Sequence, residues 1–396
     1  MNTPICDFVR QYDRKRWHMP GHKGKGVLGV EKYDITEVAG ADSLYTADGI
    51  IAESEANASR LFGCPTFYST EGSSHCIRAM LYLATRKKRR VLAFRNCHTA
   101  FLSAAALLDL DVTWVDDMTA LNVTSEYAAL YVTSPDYLGR MADISALAER
   151  CHAMGVKLLV DNAHGAYLRF LEPSLHPMDL GADLCCDSAH KTLPVLTGGA
   201  YLHTRTAEGV KEALALFGST SPSYLILQSL DAANLFLENF HPALTVPDLP
   251  FARVGDEPLK VTIAPKMRGY TGLELAEILR GNGYECEFAD PDFLVLMPQS
   301  GEDLSILASL LALPLRPPIL TGPPVLGRPR RAMSIREAMM AESEVVPVAQ
   351  ALGRVLAQPS VFCPPAIPIL VCGEVIDEAA MEAFSYYNIE EIRVVV

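Results

Sequence analysis

KLLVDNAHGAY (157–167) and CCDSAHKTLPVLTGG (185–199) carry the reading of the fold. Each joins a short apolar run to a polar cluster, KLLVD at 157–161 and ADLCCD at 182–187, and each run is too short for a helix. They are predicted to be strands. In an open α/β sheet reactive groups gather where strands end at their carboxyl side, and Asp161 and Lys191 lie at or just beyond such ends. Thirty residues separate the two, enough for a loop and a strand to intervene before Lys191 follows in a turn.

Outward from this pair, from about residue 47 to 240, helical and strand-like patterns alternate. Helices are predicted near 52–62, 74–88, 99–108 and 143–154, and strands at VLAFR (91–95), DVTWV (111–115) and ALYVTS (129–134). Such alternation implies crossover connections and a mostly parallel sheet in an α/β large domain. The first 46 residues, with HMPGHKGKG (18–26) and DITEVAGADSL (34–44), read as an arm with turns. The boundaries expected are an arm at 1–46, a large domain at 47–244 and a smaller α+β domain at 245–396. That last part holds KVTIAP, a helix at 271–282 closed by Gly283, and a strand at 293–297. A proline-dense loop follows at 313–329, then a helix at 334–342 and another near 347–356.

Composition narrows the classes. The chain has 396 residues, 49% hydrophobic and 20% charged, so extensive disorder is excluded, and no apolar run reaches membrane-spanning length. The N-terminal residues lack an apolar stretch with a cleavage site, so a cytoplasmic location is expected. A formal charge of −13 disfavours nucleic acid. The basic run Arg86–Arg90 reads as a solvated helix end. Ten cysteines without a CxxC pair suit reduced thiols, and the adjacent Cys185 and Cys186 read as packing. His18 and His22 are spaced i,i+4, but Pro20 and Gly21 between them disfavour a helical ligand face; no metal is expected.

Three segments carry chemistry. A lysine and a carboxylate at neighbouring strand ends suit pyridoxal phosphate, the lysine forming an imine and the carboxylate keeping the pyridine nitrogen protonated; a buried ion pair without cofactor fits equally. In FYSTEGSSHCIRAM (67–80), Ser73 and Ser74 open a helix whose N–H groups suit a phosphate ester, or form an ordinary cap. In FRNCHTAF (94–101), His98 follows a strand and is placed either to stack on an aromatic ring or to serve structure.

Taken in order, HMPGHKGKG, DITEVAGADSL, FRNCHTA, VDNAHGAY, SAHKTLPVLTGG, STSPSYLILQSLDAA (219–233) and CPPAIPILVCGE (363–374) resemble the Orn/Lys/Arg decarboxylases. The resemblance implies a fold-type I, aspartate-aminotransferase-like enzyme with pyridoxal 5′-phosphate as cofactor, in the short form without a receiver-like domain. It implies Lys191 as the Schiff-base lysine, Asp161 as the pyridinium partner, His98 as the stacking histidine and Ala163 as the small residue beneath the ring. Ser73, Ser74, Ser188 and His190 match phosphate-side positions, with His190 also suited to proton transfer, and His164 belongs to the cofactor-side set. Thr220 and Ser221 match a segment that reaches the neighbouring subunit's phosphate, which implies a homodimer with its sites at the subunit interface.

The expected reaction is decarboxylation of arginine, lysine or ornithine to the amine and CO2, on the route to polyamines. Other pyridoxal-phosphate chemistry (transamination or β-elimination) and a cofactor-binding protein without turnover are the alternatives. Glu71 stands where the family commonly has Asn, and its side chain is expected to point away from the phosphate or to find a cation. Gly198 stands where Gln is frequent. Thr99, Ala100, Cys363 and Ala366 also depart from the pattern, and these changes lie on what is the substrate side in the family. Asp42 and Glu344 are candidate partners for the distal cation of a basic substrate.

Overall fold

The computed structural model describes residues 1–116, 121–362 and 368–396. In chain order the first elements are α1 (Pro4–Gln11), α2 (Ile50–Phe62), β1 (Thr66–Ser69), α3 (Gly72–Thr85), β2 (Arg90–Phe94), α4 (Thr99–Leu108), β3 (Asp111–Val115) and β4 (Ala129–Thr133). There follow α5 (Ile144–Ala153), β5 (Lys157–Asp161), β6 (Leu184–Asp187), α6 (Ala189–Thr192), β7 (Ala200–Thr204), α7 (Val210–Phe217) and α8 (Tyr224–Leu237). The central sheet has seven strands in the order β1-β7-β6-β5-β4-β2-β3.

β5 runs parallel to β4 and to β6, pairing Asp161 with Thr133 on one side and with Cys186 on the other. β7 is antiparallel to both β6 and β1, and it sets His203 opposite Cys185 and Thr66. Leu158, Leu159 and Val160 are all fully buried, as expected for a parallel strand covered on both faces. Local signals fix the helix ends. Gly63, at φ 73°, closes α2 in the left-handed region, and the Asp143 side chain caps α5 by accepting from the Ala146 N–H.

The chain divides into two compact units. The first comprises Met1–Leu92, Leu121–Ser134 and Asp143–His241; the second comprises Ala93–Ala120, Pro135–Ala142 and Pro242–Val396. In the second, β8 (Ala252–Val254), β9 (Val261–Ala264), β10 (Phe288–Ala289) and β11 (Leu294–Leu296) form a sheet ordered β10-β11-β9-β8. α9 (Gly272–Gly281) begins at a reciprocal Thr271–Glu274 capping box, and its Leu275, Ala276 and Leu279 join Val261, Ile263 and Leu294 in one core. After α10 (Ser305–Leu310), residues 312–330 are irregular, the fate expected of a proline-dense stretch. α11 (Ile335–Met340), β12 (Ser343–Pro347), β13 (Ser360–Phe362), β14 (Pro368–Val371), α12 (Glu378–Tyr386) and β15 (Glu391–Val395) complete it.

Two local expectations are corrected. The helix expected near 347–356 is absent. Residues 343–347 form β12, which pairs antiparallel with β15, and after the single 3-10 turn Val348–Gln350 the N–H groups of Gly353 and Leu356 go to the Ile376 and Glu374 carbonyls instead of to a helix. The N-terminal arm contains a helix, α1, that its polar look conceals. Ile5, Cys6 and Val9 are buried, and the Ile5 and Cys6 N–H groups donate to the Asp231 carboxylate of α8. No helix among the described residues is long and apolar enough to cross a membrane.

Candidate active site

Within the first unit the structure brings together the side chains at the ends of β5 and β6. Asp161, the last residue of β5, is 1% exposed. Its carboxylate accepts from the Tyr131 hydroxyl (2.9 Å), the Ala163 N–H (3.2 Å) and the Cys186 thiol (3.7 Å). The tight turn Asn162–Gly165 closes through a Gly165 N–H to Asn162 carbonyl bond of 2.8 Å and presents His164. Beyond β6, the one-turn α6 carries Lys191, whose side-chain amine lies 3.1 Å from His164 Nε2. The predicted pair of strand ends thus meets through His164, while Asp161 sits buried one turn back.

On the phosphate side, the Ser188 hydroxyl donates to Ser73 Oγ at 2.8 Å, joining α6 to the first turn of α3. The first N–H groups of a helix have no intrahelical partner and carry the positive end of its dipole, so this corner suits an anion. Ser74 follows on the same turn. At Gly72, φ is 72° and an added Cβ would meet nothing within 4 Å, which leaves open space at the mouth of the helix. His190 bonds through Nδ1 to the Gly199 carbonyl at 3.0 Å. Since a carbonyl only accepts, Nδ1 carries the proton, and in the neutral ring the lone pair falls on Nε2.

Glu71 is exposed and its carboxylate accepts the Ser219 N–H at 2.6 Å, so its contact is a backbone donor. That contact holds the segment Ser219–Ser221, in which Thr220 and Ser221 are exposed. His98 belongs to the second unit, where it caps α4 by accepting from the Ala100 N–H through Nδ1 at 3.2 Å. Thr99 and Ala100 open that helix. Cys363 and Ala366 lie outside the described residues.

Neither candidate for the substrate's distal cation holds. Asp42 is 5% exposed and receives five backbone N–H groups, from Ser43, Asp48, Gly49, Ile51 and Ala52, so its oxygens are spent in starting α2. Glu344 is paired with Arg354 at 2.8 Å on β12.

Several residues of this neighbourhood are not legible from motifs. Tyr131 and Cys186 reach Asp161 only through sheet register, and strand alternation from Thr133 is the signal that points to Tyr131. Asp187 is fully buried and accepts from Asn162 Nδ2 (2.7 Å), His176 Nε2 (3.1 Å), His203 Nε2 (3.0 Å) and the Cys185 thiol (3.7 Å). Burial alone would raise this carboxyl, but His176 and His203 outweigh it and hold Asp187 well below the usual carboxylate range. Burial in turn lowers His203 against the pull of Asp187. In the second unit, Arg95, three residues before His98, makes a two-pronged pair with Glu374 at 2.6 and 3.0 Å.

This geometry, a strand-end lysine beside a histidine, a buried carboxylate and a serine-lined helix start within an α/β sheet, defines a fold-type I pyridoxal-phosphate enzyme. Comparison with known proteins gives the family. The model of the Orn/Lys/Arg decarboxylase major domain matches residues 3–117 and 115–242, and that of the C-terminal domain matches 324–392; the chain belongs to the Orn/Lys/Arg decarboxylase family. An arginine decarboxylase of Halalkalibacterium halodurans is 29% identical over 95% of this chain and 91% of its own length. The uncharacterised YaaO of Bacillus subtilis is 28% identical over 97% and 94%. In fold, the chain superposes on the Francisella novicida lysine decarboxylase LdcF with a TM-score of 0.80 at 15% identity, covering all of this chain and 81% of that one.

The family implies pyridoxal 5′-phosphate, and the residues present fit it. Asp161 is a fixed, buried acceptor, as a ring N–H requires. Thr133 Oγ1, on the residue paired with Asp161 across the sheet, is buried without a partner. Ser73 and Ser188 supply hydroxyls at a helix start.

Proposed function

We propose that this chain decarboxylates a basic L-amino acid (arginine, lysine or ornithine) to its amine and CO2, with pyridoxal 5′-phosphate held by Lys191. The observation that carries the reading is the contact of Lys191 with His164 at the ends of two neighbouring parallel strands, with Asp161 buried at the root of the same turn. Family membership and the name of the arginine decarboxylase relative support the substrate class.

When bound, the cofactor supplies an electron sink for the pair left behind as CO2 departs. The chain's own groups do the rest. Asp161, fixed by three donors, would accept the N–H of the cofactor ring. Ser73, Ser74 and Ser188 with the start of α3 would hold the phosphate, Ala163 would leave room for the ring, and His98 is the residue proposed to stack on it. His190 Nε2, the free lone pair of a ring anchored through Nδ1, accepts or returns a proton, and Lys191 Nζ serves as the second proton carrier. The exposed Thr220 and Ser221 reach the phosphate of a partner subunit in a homodimer. The described cysteines are all free thiols, which supports a reducing, cytoplasmic setting in which the product amine enters polyamine formation.

The test is incubation of the purified chain and pyridoxal 5′-phosphate with L-arginine, L-lysine and L-ornithine, with mass spectrometry for agmatine, cadaverine and putrescine. One amine formed over many turnovers, and lost in Lys191→Ala, is the expected result. Keto acid in place of amine overturns it in favour of transamination.

A further inference from the structure

We propose that Asp187 is a positioning residue for this site: through Asn162 it clamps the end of β6 to the end of β5 and so fixes the turn that places His164 against Lys191. The inference rests on the reading of Lys191 as the cofactor lysine.

Strand alternation separates the two carboxylates. On β6, Cys186 faces Asp161, while Cys185 and Asp187 turn to the opposite face, where β7 delivers His203. His176 arrives from the loop before β6, and Asp187 Oδ2 collects both Nε2 groups. Oδ1 is thereby left to reach across the strand ends to Asn162 Nδ2 at 2.7 Å.

Asp187 immediately precedes Ser188-Ala189-His190-Lys191, and Asn162 immediately precedes Ala163-His164. The Asn162–Asp187 side-chain bond therefore joins the two segments that carry the site, beside the backbone bond from the Asn162 N–H to the Cys186 carbonyl at 2.9 Å. Its far end is equally fixed: an added Cβ on Gly165 would stand 2.0 Å from Asn162 Oδ1, so the turn packs onto that amide with no slack. Supporting residues of this kind typically change function about 10- to 100-fold when removed.

His176, Asp187 and His203 are also spaced like metal ligands. The hydrogen bonds argue otherwise. His176 Nδ1 accepts the Met178 N–H at 3.4 Å, which puts the ring proton on Nε2, where a metal would need a lone pair.

The test uses Asn162→Ala, which cuts the link yet keeps both histidines on Asp187, alongside Asp187→Asn in the purified full chain. Titration with pyridoxal 5′-phosphate, followed by absorbance across pH, reports affinity and the pH midpoint of the bound cofactor; amide hydrogen exchange of residues 163–165 without cofactor reports the turn. We expect both variants to bind about tenfold more weakly, with a displaced pH midpoint and faster exchange in the turn. Wild-type affinity, midpoint and exchange in Asn162→Ala, accompanied only by a lower melting temperature, would overturn the proposal and leave a core-stabilising role. Stoichiometric metal in the purified protein would overturn it as well. If the wild-type chain fails to take up pyridoxal 5′-phosphate, the functional reading falls, and the exchange of 163–165 still decides whether the clamp exists.

Discussion

Asp187 and Asp290 are both buried carboxylates, one in each unit, and they have opposite fates. Asp187 accepts four side-chain donors, two of them imidazoles, and is held ionised well below the usual range. In Asp290, Oδ1 takes the N–H groups of Asp292 and Phe293 while Oδ2 is buried without a partner. Burial dominates there, and the group is pushed up to about 6. Depth does not separate them, since neither is more than 6% exposed. The number and charge of the donors does.

The sharpest way to break this contrast is to remove the well-served group. Asp187→Ala leaves two imidazoles and an amide without their acceptor in the core, and should cost about 3–5 kcal/mol of stability by urea unfolding. A loss below about 1 kcal/mol would show that the network is dispensable.

Asp290 gives the next largest effect. Its folded pKa lies above the unfolded value of 3.8, so between there and about 6 the folded chain keeps a proton that the unfolded chain has lost. Stability contributed by this group is full below the unfolded value and declines as pH rises through about 6. Unfolding followed at a series of pH values should show that decline, and Asp290→Asn should flatten it.

The smallest effect belongs to Glu71, an exposed carboxylate on the same scale. Glu71→Gln keeps an oxygen for the Ser219 N–H and removes one negative charge near the phosphate corner. Binding of pyridoxal 5′-phosphate should improve by no more than about threefold, because solvent screens the charge. A larger gain would mean that Glu71 lies nearer the phosphate than its contact with Ser219 suggests.

What can be read from the chain follows the range of the forces involved. The alternation of KLLVD and LCCD with helical segments is a local pattern, and it is enough for the parallel sheet and the strand-end placement of Asp161 and Lys191. Asp187 looks in sequence like the end of a strand and nothing more, because its partners His176 and His203 stand 11 and 16 residues away and meet it only once β6 and β7 pair. Asp42 misleads for a related reason. A lone acidic residue in a polar arm looks free, whereas its oxygens are taken by backbone donors up to ten residues on. Pro347 is compatible with the start of a helix when read locally, because the strand that claims it, β15, lies at the far end of the chain.

Gly198 illustrates how a backbone can exclude a side chain. Its φ of 101° lies in the range that side-chain-bearing residues avoid, and an added Cβ would stand 2.9 Å from the Thr70 carbonyl oxygen and 3.0 Å from Ile226. Its own carbonyl accepts the Gly72 N–H at the start of α3. The Gln frequent in the family cannot simply be restored here, since the turn would have to be rebuilt around it and the helix start would move with it. A side chain at this position would act first on the loop and, through the Gly198 carbonyl, on the first turn of α3.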